Sequence, residues 1–245
     1  MTRRSFLVAL ALVLVLFGGA GLLLFLVVGY QPAAYTQAVA ATPEARTQKS
    51  QDFLAEFSNL YGNVSEADRD WGNQFTDEQV NSYLDEGFIQ QGLASRVLPD
   101  GVRRPHVVFD QDKVHVVFRY GTGGWNTTVS IDLRVWLARD EANAVALELE
   151  GVWAGALPIS GQWLMEEFAK AGRNSGNGLD VTWYRLNGHP VALVRFQADQ
   201  PHPTLLLQDV HLDRGLLTIR GRSPEAGQHA LLLNPPDNPR MVIQR

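Results

Sequence analysis

The chain has no cysteine among its 245 residues. That absence excludes a disulfide scaffold, a thiolate metal site, an iron–sulfur cluster and a cysteine nucleophile. It also excludes lipoprotein anchoring, which needs a cysteine to acylate. Lysine is nearly missing too: Lys49, Lys113 and Lys170 are the only ones, and arginine supplies the other basic charge. The formal net charge is −5 and the pI is about 5.7. No general basic face is available for nucleic acid, so none is expected as a partner. An anionic ligand of any kind would need a local arginine cluster. Neither glycine nor proline is in excess, and 45% of residues are hydrophobic, which excludes a fibrous or a disordered chain.

The catalytic signatures are missing as well. The six histidines, at 106, 115, 189, 202, 211 and 229, make no HxH or HxxxH pair and read as scattered surface residues. No metal site or cofactor is expected from them. There is no GxSxG elbow and no SxxK. Ser160 precedes Gly161 at the start of a helix, where capping explains it. Gly121-Thr122-Gly123-Gly124-Trp125 is glycine-rich but lacks the Lys-Ser/Thr of a phosphate loop, so it reads as a hairpin loop. Glu148 and Glu150 stand two apart on one predicted strand, as a glycosidase pair might. Salt bridges to Arg134 are the simpler account of them. Asp68-Arg69-Asp70, with Trp71 as a stacking platform, would suit a cation or a sugar; a charged loop orienting the two helices is the simpler reading.

One further absence is informative. No charged residue stands between Arg4 and Glu44. Residues Phe6 to Val28 are drawn only from Phe, Leu, Val, Ala and Gly. As a helix at about 1.5 Å per residue this run exceeds a hydrocarbon core of about 30 Å. Residues 1–30 are therefore expected to be a cytoplasmic end and a transmembrane anchor, with the membrane as partner through residues 6–28. Arg3 and Arg4 keep the N-terminus inside, and Tyr30 suits the far interface. A cleaved signal peptide is the competing reading, since Ala38-Val39-Ala40 fits a small-x-small site. Signal cores run about 7–15 residues, shorter than this one. Both readings place the bulk of the chain outside the cytoplasm.

Residues 31–43 read as a linker, 44–222 as an extracytoplasmic domain and 223–245 as a proline-rich tail. Phe53, Leu54, Phe57 and Leu60 make one stripe of a helix that Gly62 should stop. Thr76 and Gln79 have capping-box spacing at the head of a second helix carrying Val80, Tyr83 and Leu84. From His106 the period is two: Val114, Val116 and Phe118, then Ile131, Leu133 and Val135, then Leu147 and Leu149. Asp140 to Asn143 is a polar turn, and Asp213-Arg214-Gly215 turns a last hairpin. A third helix after Ser160 should carry Trp163, Leu164 and Phe168. Strand runs with segregated helices predict an α+β fold: a curved antiparallel β-sheet packed with two to three helices.

Three segments carry a resemblance. They are Phe75-Thr76-Asp77-Glu78-Gln79-Val80-Asn81-Ser82-Tyr83-Leu84, Gly155-Ala156-Leu157-Pro158, and the hairpin from Leu207 to Ile219. Over about residues 70–222 the layout resembles the YpmS-like family of small membrane-anchored bacterial proteins of unknown function. It is also similar to extracytoplasmic lipid-binding domains of the LmeA and AsmA type. The resemblance implies a curved sheet wrapped near a helix, and lipid contact. It brings no catalytic residues.

The expected function is therefore non-catalytic binding of a lipid or other apolar ligand in a groove between sheet and helices. Ile131, Leu133, Val135, Leu147 and Leu149 would line it, with Leu164 and Phe168 from the helix. A scaffold for an envelope protein complex, using edge strands or the Trp71 loop, is the second expectation. A hydrolase with dispersed site residues is the third.

Overall fold

The structure is a computed structural model, and it describes residues 42–64, 69–121, 126–162, 165, 180–196 and 205–223. The apolar run 6–28, the linker up to residue 41 and the tail beyond Ser223 lie outside the described residues, as do Trp163, Leu164 and Phe168. Among the described residues no helix is long and apolar enough to cross a membrane.

The described chain is α+β, and every strand pairing is antiparallel. Helix α1 (Pro43–Val64) leads into β1 (Arg69–Thr76), then α2 (Asp77–Asp85) and two single turns, α3 (Gly87–Gln90) and α4 (Ala94–Val97). The strands β2 (Val102–Asp110), β3 (Lys113–Tyr120), β4 (Thr127–Leu137) and β5 (Ala144–Ala154) then run as a meander. A two-residue strand β6 (Leu157–Pro158) folds back on β5. The hairpin β7 (Asp180–Leu186) and β8 (His189–Arg195) joins the meander through β8, giving the order β2-β3-β4-β5-β8-β7. The last hairpin, β9 (Leu206–Asp213) and β10 (Leu216–Ser223), pairs with β1 in a separate sheet of order β1-β10-β9.

The helices form where their sequence signals lie. Thr76 caps α2 with the reciprocal bonds of a capping box: its Oγ1 accepts from Gln79 N, and Gln79 Oε1 accepts from Thr76 N at 2.8 Å. Asp77 and Glu78 occupy the first turn, where negative charge suits the helix dipole. Phe53 from α1 meets Tyr83 of α2 with ring centroids 4.9 Å apart, and Phe75 of β1 at 5.4 Å. These aromatic rings are the joint between the two helices and the small sheet. Gly62 does not stop α1, which continues to Val64.

The expected α+β fold, a curved antiparallel sheet with two helices, is present, and a second, three-stranded sheet stands beside it. One expectation is corrected: at residues 69 and 70 the charged Asp68–Asp70 segment is the start of β1 and not a loop. The cause is a partner far along the chain: β1 pairs from Arg69↔Ser223 to Thr76↔Leu216. Its own alternation is masked by Gly72, Asn73 and Gln74. Trp71 is not an exposed platform. It is buried, and its Nε1 donates to Ser223 Oγ at 3.1 Å. Its ring lies over Gly221, where an added Cβ would stand 2.2 Å from Cζ2. Ser223 Oγ in turn donates to Val64 O at 2.6 Å, tying the end of α1 to both strands.

Two buried asparagines join the parts. Asn81 of α2 donates from Nδ2 to Val107 O and accepts from Val107 N, both at 2.7 Å. Asn143, in the β4–β5 turn at φ 54°, does the same to the last sheet. Its Nδ2 donates to Leu205 O at 2.6 Å and its Oδ1 accepts from Leu207 N at 2.7 Å. An amide side chain presents a donor and an acceptor side by side, as a neighbouring strand does. The β9–β10 turn adds a third tie: Gly215 N donates to Phe109 O at 3.0 Å, and Gly215 O accepts from Asp77 N at 3.1 Å.

Replacing Asn143 by Ala leaves a buried N–H and a buried C=O unpaired. A loss of about 2 kcal/mol or more is expected, at about 1–3 kcal/mol for each orphaned group. Urea unfolding checks it. An unchanged midpoint would mean that water completes the edge of β9 equally well.

Candidate functional site

The seven-stranded sheet is apolar along one face, and its other face sets charged residues beside a buried cluster of Ala144, Ala146, Val191 and Leu193. Directly opposite residues share a face, so the register sorts them. Leu133 stands opposite Leu149, and Val135 opposite Leu147. Leu147 faces Ala192, and Ala192 faces Trp183. The row Val135–Leu147–Ala192–Trp183 thus crosses four strands on one face. The five strand residues expected to line a groove all lie on this face. They are not equally covered. Ile131 and Leu149 are 2% and 6% exposed and pack with Phe118, Val129 and Val152, with Leu133 against the cluster. Val135 and Leu147 are only half-buried. Leu164 and Phe168, also expected there, lie outside the described residues.

A β-bulge sets this face. Asp132 pairs with Gly151 and Leu133 with Leu149, so Glu150 is an extra residue in β5. Past the bulge, Val152 returns to the same face as Ile131. Without it the two halves of β5 would present opposite faces.

At the β7–β8 end of the apolar face lies an open cavity of about 610 Å³. Trp183, Pro190 and Met165 form its apolar walls, Gly161 and Ser160 one side, and Arg185 its rim. Gly161 packs against the cluster: an added Cβ would stand 2.4 Å from Leu149 Cδ2. The segment that carries Gly161 begins as the sequence suggests, with Ser160 Oγ accepting from Gln162 N at 3.3 Å and Met165 N bonding Gly161 O. No Asp, Glu or His lines the cavity among the described residues.

The opposite face carries the charge of the sheet, beside the buried cluster of Ala144, Ala146, Val191 and Leu193 with Trp136 packed against it. Arg134 stands opposite Glu148 and bonds both acids, at 3.9 Å to Glu148 and 3.1 Å to Glu150. Lys113 reaches Glu150 at 2.5 Å and His189 reaches Glu148 at 3.2 Å. This is the arrangement expected of Glu148 and Glu150: their carboxylates are held by cations. Each exposed pair contributes about 0–1 kcal/mol. A shallow cavity of about 540 Å³ lies over Lys113, Arg134, Trp136, Glu148 and Leu186. At the edge, Arg195 fastens the β4–β5 turn to β7. Its guanidinium forks onto both oxygens of Glu141 and reaches Asp180 at 3.1 Å. The bond to Arg195 holds Glu141 below the usual carboxylate range.

The histidines are not all on the surface. His106 is 1% exposed, with Nδ1 3.1 Å from Arg104 O and Nε2 3.4 Å from Asp85. Its buried place follows from the packing of α2 on β2, which the spacing of histidines does not report. His115 is on the charged face, with Nδ1 2.7 Å from Asp132 Oδ1. Among the described residues no three or more of His, Asp or Glu converge as a metal site would require.

Trp183, Pro190, Met165 and Arg185 were not among the expected lining residues. Val181, Trp183 and Arg185 do alternate in sequence, which marks a strand. The place of that strand depends on β8 pairing with β5, a contact across the intervening segment. Comparison with protein-family models, with curated proteins and with solved structures finds no match to this chain.

The hydrogen bond that His115 Nδ1 donates to Asp132 holds the His115 pKa above its ordinary 6.5, against the opposing pull of burial. A raised folded-state value makes this contribution complete below 6.5 and lost as pH rises through the folded value. The NMR titration midpoint of His115 is expected above 6.5. In Asp132→Asn it should fall, and the stability gap between the two proteins should narrow at alkaline pH. A gap that widens with pH would contradict the assignment.

Proposed function

We propose that the chain is a membrane-anchored binding protein whose extracytoplasmic domain holds an acyl chain or similar apolar ligand. The observation that carries this reading is the continuity of the apolar face with the cavity. Val135, Leu147 and Trp183 share one row, and the cavity opens where Trp183 stands. Few polar groups and a concave apolar wall are the usual form of such sites. Arg185 at the rim suits a polar or anionic end left facing water. At about 25 cal/mol per Å² of apolar area, burying roughly 300 Å² of ligand supplies several kcal/mol before ordering costs.

Two further points support the reading. The run 6–28 has the length and composition of an anchor. The layout resembles YpmS-like and LmeA/AsmA-type proteins.

A second reading, a scaffold for an envelope protein, has its own observation. β7 is the last strand on its side of the sheet, and Val181, Tyr184 and Leu186 on it are 36–40% exposed. An edge of that kind accepts a strand from a partner.

The test is to fold the full chain in its membrane with a protease site inserted in 31–41, and release the domain by cleavage without detergent. A solvent extract is then analysed by mass spectrometry. A stoichiometric acyl lipid is expected, strongly reduced in Trp183→Ala. An extract without lipid from a folded domain would reject the acyl ligand and favour the scaffold.

A further inference from the structure

The other end of the sheet carries a feature that an apolar ligand does not use. Arg103 and Arg119 stand directly opposite each other in β2 and β3. Arg104 is next to Arg103, and all three line one concave cavity of about 280 Å³, with Tyr120 and Asn126. Among the described residues no carboxylate lines it. Like charges in direct cross-strand register are unfavourable. The sequence has 26 acidic residues against 21 basic ones, yet among the described residues none lines the cavity to neutralise this group. Elsewhere on the molecule Arg134 and Arg195 each find carboxylates.

Two details show that the arrangement is built. Arg119 Nε is buried and has no hydrogen-bond partner among the described residues. A buried guanidinium N–H without an acceptor is costly, and an anion oxygen at that point would satisfy it. Arg104 has φ 48°, in the left-handed region, although it is not glycine and precedes Pro105. That conformation is doubly disfavoured, and it falls at the register shift between Arg103 and His106. The shift places Arg103 and Arg104 in the same cavity instead of on opposite faces of β2. His106 helps to hold the strained turn through the bond between its Nδ1 and Arg104 O.

We infer that Arg103, Arg104 and Arg119 form a binding site for a phosphate group. Guanidinium forks match the geometry of phosphate oxygens, and several together replace its hydration shell. A free phosphate ion and the phosphate headgroup of a lipid present the same chemistry to this site. This inference uses the β2–β3 end of the sheet and does not rest on the apolar cavity at β7–β8.

The test uses the full-length chain in non-ionic detergent, with melting followed by intrinsic fluorescence. Inorganic phosphate is titrated against sodium chloride of matched ionic strength. Dihexanoyl phosphatidic acid is titrated against dihexanoyl phosphatidylcholine. Wild type should gain melting temperature with a saturating phosphate dependence that chloride does not reproduce. Arg119→Gln and Arg103→Gln should each need at least about tenfold more phosphate, a loss of about 1.4 kcal/mol in binding. Without phosphate both should melt at or above wild type, because a like-charge contact is relieved. Trp183→Ala should respond as wild type does, which separates this site from the apolar one. Saturation by the phosphatidic acid below the concentration needed for inorganic phosphate marks a lipid headgroup as the source. Equal or tighter binding of inorganic phosphate marks the free ion. The inference is overturned by no stabilisation beyond the chloride control, by an equal response in the arginine variants, or by arginine variants that melt below wild type without phosphate.

Discussion

An asparagine amide laid along a strand edge is the interaction on which the rest of this structure depends. Asn81 completes β2 at Val107, and Asn143 completes β9 at Leu205 and Leu207. The first fixes α2, and through its aromatic joint α1, against the large sheet. The second fixes the β4–β5 turn against the small sheet. Both side chains are buried, at 4% and 1% exposure, so neither bond competes with bulk water. A backbone edge has one donor and one acceptor at each outward residue, and the amide is the only neutral side chain that offers both in that spacing. The two sheets and the helical pair are thereby held in one arrangement by groups that contribute little hydrophobic area.

The large sheet confines its charge to one face. The other face is apolar and runs from a packed cluster around Ile131 to a half-open end at Trp183. The charged face sets a ladder, His115 with Asp132 and Arg134 with Glu148 and Glu150, beside a buried cluster around Val191. The bulge at Glu150 keeps this separation through β5. It leaves Leu149 and Val152 on the aliphatic side, and Glu150 remains within reach of Lys113 and Arg134.

Much of this was legible in the sequence where the signal is local. The capping box at Thr76 and Gln79, the period-two runs of β3 to β5, the Asp140–Asn143 turn and the Arg134 pairings follow from near neighbours. What could not be read depends on distant pairing. The residues from Arg69 to Thr76 become a strand only because residues 216–223 return to meet them. Trp71 is buried for the same reason, against Gly221. The five strand residues of the expected groove share a face because alternation is a local property. Trp183 joins their row only through Ala192, across a pairing of β8 with β5 that no spacing announces. His106 is hidden by a helix whose packing partner is likewise set by the fold. The need for an arginine cluster could be stated from composition, but Arg103 and Arg119 are brought opposite each other by the β2–β3 register.

The plugged edge of β2 has a consequence for how copies of this domain can associate. A sheet grows without limit when each new copy offers an open edge on its far side. Here Asn81 occupies the backbone of Val107 on one side, and β7 ends the sheet on the other. Strand addition to the large sheet is thereby directed to β7, and two copies joined through β7 would form a symmetric pair. One side chain on a helix so narrows the ways in which the large sheets of two copies can join.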